Sequence, residues 1–205
     1  MDLKATYNRI AEDWHRDHQN DDWWIRGTDT FISLLPKGGL ILDVGCGGGT
    51  KSRYFIERGL RVVGIDFSEK MIEIAKREVP TGTFLALDMS DVDRLENVFD
   101  AIYASAVFVH IPRSEASTKV KKLAEKLKTG GYLYSAVKGP KIQGIQEEVK
   151  IENDYGYPYE RFFSYFTAGE VESFLREANC EVVYSEGKPS GNARWIEVIG
   201  KKRRS

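Results

Sequence analysis

The sequence predicts a three-layer, doubly wound α/β fold around a seven-stranded, mostly parallel sheet with an antiparallel last strand. Two observations lead there. Between residues 40 and 137 short apolar runs alternate with amphipathic stretches, the pattern of βαβ units with helices on both sheet faces. The runs are almost continuously apolar, as expected of strands buried on both sides.

The elements follow in chain order. Leu3, Tyr7, Ile10, Ala11 and Trp14 recur at spacings of three and four, a helix stripe. Trp23, Trp24, Ile25, Phe31, Ile32, Leu34 and Leu35 predict a second helix, ended by Pro36-Lys37-Gly38-Gly39. Strand one covers 40–44, followed by a glycine-rich turn and helix-like sequence over 50–58. Strand two runs over 60–65 and closes at Asp66. Ser68 is placed to cap a helix over 69–78 with Met71, Ile72, Ile74 and Ala75 inward. Strand three covers 83–87 and closes at Asp88. A short helix at 91–96 precedes strand four, 98–104. A helix over 114–128 is stopped by Thr129-Gly130-Gly131, and strand five covers 132–137. The alternation breaks over 138–166, a stretch dense in aromatic residues. It resumes with a helix over 167–178 capped by Thr167. Two strands follow, 181–185 and 193–200, joined as a hairpin through Gly187-Lys188-Pro189-Ser190-Gly191-Asn192.

At 205 residues the chain fits one domain, with 1–36 as an N-terminal helical lid and 138–166 as an insertion on the substrate side. With 41% apolar and 30% charged residues it can build a core and is not disordered. The net charge of −1 excludes attraction to nucleic acid or membrane by bulk charge. Cys46 and Cys180 lie far apart with no ligand-spaced partners, which predicts reduced thiols, a cytoplasmic protein and no metal. No run approaches the roughly 20 apolar residues of a membrane span. His15 and His18 fall in a charged helix end and are expected to be solvated. Lys201-Lys202-Arg203-Arg204 reads as a solvated tail.

The strongest chemical signal is Leu42-Asp43-Val44-Gly45-Cys46-Gly47-Gly48-Gly49-Thr50, between a predicted strand and a predicted helix. A structural turn accounts for two glycines; four in five positions suit a ligand pressed against the backbone at a helix N-terminus. Asp66 lies 21 positions after Gly45, where an acid can hold ribose hydroxyls. Gly45, Asp66, Asp88 and Ser105 all fall at strand carboxyl ends, where open α/β sheets bind ligands. A nicotinamide dehydrogenase would need G-x-G-x-x-G, and counted from Gly45 and Gly47 the third glycine position is Thr50.

Leu42–Gly49 together with 63–68, 86–89 and 99–105 resembles the class I, Rossmann-like S-adenosylmethionine-dependent methyltransferases over roughly 40–137. The stretch from Tyr7 to Trp14 resembles the N-terminal helix of their small-molecule branch. The resemblance implies S-adenosylmethionine as cofactor and S-adenosylhomocysteine as product. It implies Gly45, Cys46, Gly47 and Gly49 along the methionine and ribose, with Asp43 ordering the loop and Asp66 on the ribose hydroxyls. Phe67 and Met71 would lie near the adenine, Asp88 and Met89 on it, Ser105 at the methionine end, and Tyr7 and Trp14 over the cofactor.

Methyl transfer needs a base only for a protonated nucleophile. His110, after strand four, is the candidate, with a turn-packing role as the plainer alternative. Tyr155, Tyr157 and Tyr159 alternate, as on one face of an extended segment, and could seat a planar acceptor. Arg161 and Arg194 could bind an acidic group, and Trp195 could line the same wall. The expected acceptor is a small molecule and the expected assembly a monomer or homodimer. An RNA acceptor is less favoured, and a non-catalytic S-adenosylmethionine-binding partner subunit stays open.

Overall fold

The computed structural model describes residues 2–140, 144–190 and 193–204. Helices α1 (Leu3–His18) and α2 (Ile25–Ser33) precede β1 (Leu40–Val44), α3 (Thr50–Glu57), β2 (Arg61–Asp66), α4 (Glu69–Glu78), β3 (Thr83–Ala86) and β4 (Phe99–Ser105). Then come α5 (Arg113–Glu125), β5 (Leu127–Lys138), β6 (Glu147–Glu152), β7 (Tyr159–Ser164), α6 (Ala168–Glu177), β8 (Cys180–Ser190) and β9 (Ala193–Lys202). Seven strands form one sheet in the order β3-β2-β1-β4-β5-β9-β8. The first five pair in parallel; β9 runs antiparallel to β5, and β8 antiparallel to β9. This is the fold class the sequence predicts.

Adjacent strand residues face opposite layers. Tyr103 and Tyr134, stacked 4.4 Å apart, meet Phe31 of α2, and Tyr103 also meets Phe55 of α3. Ser135 and Val137 face Ala116 and Val120 of α5 and Val171 and Phe174 of α6. The helix starts at Ser68 and Thr167 form where the sequence places them. Ser68 Oγ accepts from the Met71 N–H at 3.2 Å, and Thr167 closes a reciprocal capping box with Glu170.

The structure departs from the sequence reading in several places. Helix α5 stops at Glu125, and β5 begins at Leu127, which pairs with Phe99. Thr129-Gly130-Gly131 therefore lie inside the strand, at a register irregularity. Gly130 has φ +77°, and a Cβ on Gly131 would stand 2.8 Å from the Asp100 carbonyl. The expected turn at Gly187-Lys188-Pro189-Ser190 is strand, paired as far as Ser190 with Ala193; Gly191 and Asn192 lie outside the described residues. Pro189 is tolerated there because β8 is the sheet edge.

Within 138–166, β6 and β7 form a separate two-stranded antiparallel sheet; Lys141, Ile142 and Gln143 lie outside the described residues. Lys201 and Lys202 belong to β9 rather than to a solvated tail. Lys202 Nζ donates to the carbonyls of Ala124 and Leu127, both at 2.8 Å, and so caps the end of α5. Among the described residues no helix is long and apolar enough to cross a membrane.

Candidate active site

The carboxyl ends of β1, β2, β3 and β4 bring the glycine loop, Asp66, Asp88 and Ser105 to one edge of the sheet. The loop between β1 and α3 has left-handed backbone at Gly45, Gly47 and Gly49, with φ of +63°, +52° and +86°. A Cβ on Gly45 would stand 2.6 Å from Val107 Cγ2, so β4's following turn needs the glycine as much as the backbone does. Ala106, directly after Ser105, is itself left-handed at φ +61°, a strained position next to the same edge.

Asp66 holds the loop: its Oδ2 accepts from the Gly47 N–H at 3.0 Å and its Oδ1 from the Ser68 N–H at 2.9 Å. Asp43, at the end of β1, accepts from Ser52 Oγ at 2.7 Å. Burial raises both carboxyl groups to about 6. Asp88 is exposed and caps the short 3₁₀ turn that follows, accepting from the Ser90 N–H at 2.7 Å, while Met89 beside it is buried. The Cys46 side chain turns away from the loop. It packs with Ile72, Ala75, Val79 and Phe84, which leaves only its backbone to the edge.

Helix α1 lies over this edge. Its Asn8 side chain accepts from Ser68 Oγ at 2.7 Å, and Arg77 of α4 grips Glu12 with two bonds of 2.8 and 3.0 Å. Tyr7 meets the rings of Phe67, His110 and Trp14 edge-on, and Met71 lies beneath in the same apolar cluster. A Cβ on Gly47 would come within 3.5 Å of the Trp14 ring. Trp14 Nε1 is buried without a hydrogen-bond partner. His15, expected to be solvated, is buried instead: a Cβ on Gly48 would stand 2.2 Å from its Nδ1. His18 stacks on Trp14 at 4.3 Å. The helix pattern marks His15 as part of a polar end because its partner, the loop, is distant in sequence.

His110 joins three segments. Its Nδ1 is 2.7 Å from the Phe162 carbonyl and its Nε2 is 2.8 Å from the Tyr7 hydroxyl. A carbonyl only accepts, so Nδ1 carries the proton and Nε2 accepts from Tyr7. Burial pushes His110 down to about 4, well below the near-neutral range expected of a free imidazole. Arg161 Nη1 reaches the Tyr7 hydroxyl at 3.4 Å, while its other nitrogens pair with Glu152. Tyr155, Tyr157 and Tyr159 do share one inward face, and they press on α1: Tyr155 and Tyr159 stack at 5.4 Å, and Tyr157 donates to Asp13 at 2.9 Å. Trp195 stacks on Trp23 at 4.0 Å, near the end of β5, and Arg194 is exposed beside it. Lys51, in the first turn after the glycine loop, and Trp23, whose ring centre is 6.0 Å from its ammonium, are candidate site-edge residues that the sequence pattern alone does not single out.

Residues 41–131 match the family model of a methyltransferase domain. A ubiquinone biosynthesis O-methyltransferase of Coxiella burnetii is 31% identical over 141 residues, 63% of this chain and 58% of that protein. The chain thus spans little more than half the length of that relative. Among solved structures, the 1,6-didemethyltoxoflavin-N1-methyltransferase of Burkholderia thailandensis, with bound 1,6-didemethyltoxoflavin and S-adenosylhomocysteine, superposes with a TM-score of 0.77 at 20% identity. It covers 98% of this chain and 88% of its own. The magnesium protoporphyrin IX methyltransferase of Synechocystis, solved with S-adenosylmethionine, gives 0.74 at 19% identity over 98% of this chain and 95% of its own. With the glycine loop, the edge acids and the strand order, these matches lead to one assignment: residues 41–131 are a methyltransferase domain, built on the Rossmann-like fold of the solved S-adenosylmethionine-dependent methyltransferases.

Proposed function

We propose that the chain transfers the methyl group of S-adenosylmethionine to a small-molecule acceptor held between α1, the turn after β4 and the β6–β7 sheet. The observation that carries this is the loop of three left-handed glycines tied by its own amide to Asp66. The residues fit the cofactor: the space above Gly47 has no Cβ in it, and the buried Trp14 N–H beside it lacks an acceptor. Asp66, with one lone pair on each oxygen already used, retains acceptor capacity for two ribose hydroxyls. Asp88, exposed at the next strand end, suits the adenine amino group, with Met89, Phe67 and Met71 around the ring. Tyr7, Trp14 and α1 as a whole act as the lid that keeps water out.

When bound, the sulfonium supplies an electrophilic methyl group for in-line displacement. The chain's part is alignment and, for a protonated acceptor, proton removal. Tyr7 is the outer member of that relay. Its oxygen takes a proton as its own passes to His110 Nε2, and the Phe162 carbonyl holds the imidazolium at Nδ1. With His110 at about 4 this is a weak base, which suits an acceptor that acidifies as its bond to the methyl forms. The β6–β7 sheet and Trp195 form the acceptor wall in this reading. Arg161 serves by holding the Tyr7 hydroxyl rather than by binding an acid, since its pairing with Glu152 already uses its charge.

No observation favours an RNA acceptor. Lys201 pairs with Tyr132, which sits beside Ala101 near the amino end of β4, so the basic end lies toward the opposite ends of the strands from the loop. Calorimetric titration with S-adenosylhomocysteine, with NAD as control, tests the cofactor. Micromolar binding of the first alone, weakened sharply in Asp66→Ala, is expected; no binding to the folded chain would overturn the reading. Screening small acids, phenols and amines beside a tRNA pool, at low and high salt, then identifies the acceptor class. His110→Ala should lower turnover at least tenfold, and normal turnover would remove His110 from the relay.

A further inference from the structure

Lys51 sits in the first turn of α3, directly after the glycine loop, with its ammonium 5.5 Å from the centre of the Trp24 ring and 6.0 Å from that of Trp23. It forms no ion pair and no hydrogen bond among the described residues. Both features of this placement oppose a positive charge. A cation is unfavourable in the first turn of a helix, whose amides already present positive ends. Burial pushes the ammonium below its ordinary range, and Asp43, Asp21 and Cys46, none of them paired with it, pull it part of the way back. The two indole faces offset part of this, since each attracts a cation weakly. A charge kept here without a counterion leaves the site complementary to an anion.

What kind of anion follows from the neighbours. Asp43 ends β1 on one side of the glycine loop, and Lys51 begins α3 on the other. They are close enough to influence one another's charge but do not pair. A negative and a positive group held apart across one loop match an α-amino acid zwitterion, whose amine would face the first and whose carboxylate would face the second. Building on the cofactor reading above, we propose that Lys51 is the carboxylate-binding residue for the amino-acid end of the cofactor, with Asp43 on the amine side of the same loop. The two indole faces hold the ammonium in place, so the ion pair forms on a pre-positioned donor.

The test separates the two halves of the ligand. S-adenosylhomocysteine and 5′-methylthioadenosine share the adenosine thioether, and only the first carries the zwitterion. Both are titrated calorimetrically into the wild-type chain, Lys51→Met and Lys51→Arg. Methionine keeps an unbranched side chain of similar length beside the indoles and removes the charge. Lys51→Met should bind S-adenosylhomocysteine about ten- to a hundredfold more weakly, the loss expected of one charge-assisted hydrogen bond. Its affinity for 5′-methylthioadenosine should be unchanged, which also reports that the adenosine half is folded. Lys51→Arg should restore most of the loss. Equal affinity of wild type and Lys51→Met for S-adenosylhomocysteine overturns the proposal and leaves the cofactor reading intact. Weakening of both ligands in the same proportion also overturns it, because the charge would then have no specific partner. If the wild-type chain binds neither ligand, the cofactor reading itself fails and the proposal falls with it.

Discussion

Replacing Tyr7 by phenylalanine removes one oxygen atom and keeps the ring that meets Phe67 at 5.7 Å and His110 at 5.5 Å. The lost hydroxyl is the donor to His110 Nε2 at 2.8 Å and an acceptor for Arg161. His110 cannot turn to find another partner, since its Nδ1 is held by the Phe162 carbonyl at 2.7 Å. A part-buried imidazole nitrogen left without a donor costs about 1–3 kcal/mol. For a chain of this size each kcal/mol moves the melting temperature by roughly 2–4 °C, so Tyr7→Phe should melt several degrees lower. The assay is urea unfolding of wild type, Tyr7→Phe, His110→Phe and the double variant at pH 7. Loss of the His110–Phe162 bond cancels in the cycle, and a coupling of at least about 0.5 kcal/mol between Tyr7 and His110 is expected. Additive single losses, or a Tyr7→Phe variant as stable as wild type, would refute the relay geometry, because the hydroxyl would then not bond the imidazole in solution.

Acid should act on the same variants with a defined sign. The unfolded imidazole titrates near 6.5 and the folded one near 4, so the stability from neutral His110 is complete above about 6.5 and lost as pH falls toward 4. Asp43 and Asp66 oppose this: burial raises both to about 6, so they favour the folded chain as pH falls below that value. The difference between the pH profiles of wild type and His110→Phe should therefore show a one-proton slope between pH 6.5 and 4, and a flat difference would contradict it. Binding of S-adenosylhomocysteine should weaken by about tenfold per pH unit below 6, as Asp66 takes up a proton; calorimetry across pH 5 to 7 measures it. Gly27→Ala should destabilise by about 1–3 kcal/mol although alanine is the better helix former, because its Cβ would lie 2.4 Å from the buried Glu197 carboxylate. Thr167→Ala should cost about 1 kcal/mol through loss of the capping box, read by thermal melting.

By itself the sequence determined the layer order, the parallel sheet and the candidate ligand-binding edge, because these are local signals. A near-continuous apolar run is a strand buried on both faces wherever it lies, Ser68 and Thr167 announce their helices, and four glycines between a strand and a helix have one ready use. The acids at the ends of β2 and β3 were legible for the same reason, since a strand's direction says which end is which. The β6–β7 pair was not. Along Glu148–Glu152 the exposed positions are apolar, with Val149 53% and Ile151 73% exposed, while Glu148, Lys150 and Glu152 turn inward. Those inward charges are satisfied by partners across the pair, Arg161 on Glu152 and Tyr165 on Glu148, and by Lys150 on Glu148 within the strand. The tertiary structure alone decided what His15, His110 and Lys51 do. Each takes its character from what stands against it: a glycine with no side chain, a carbonyl 52 residues away, or two indoles without a counterion. Burial and partner identity, which set an ionisable group's protonation, come from contacts between distant segments, and no spacing along the chain encodes them.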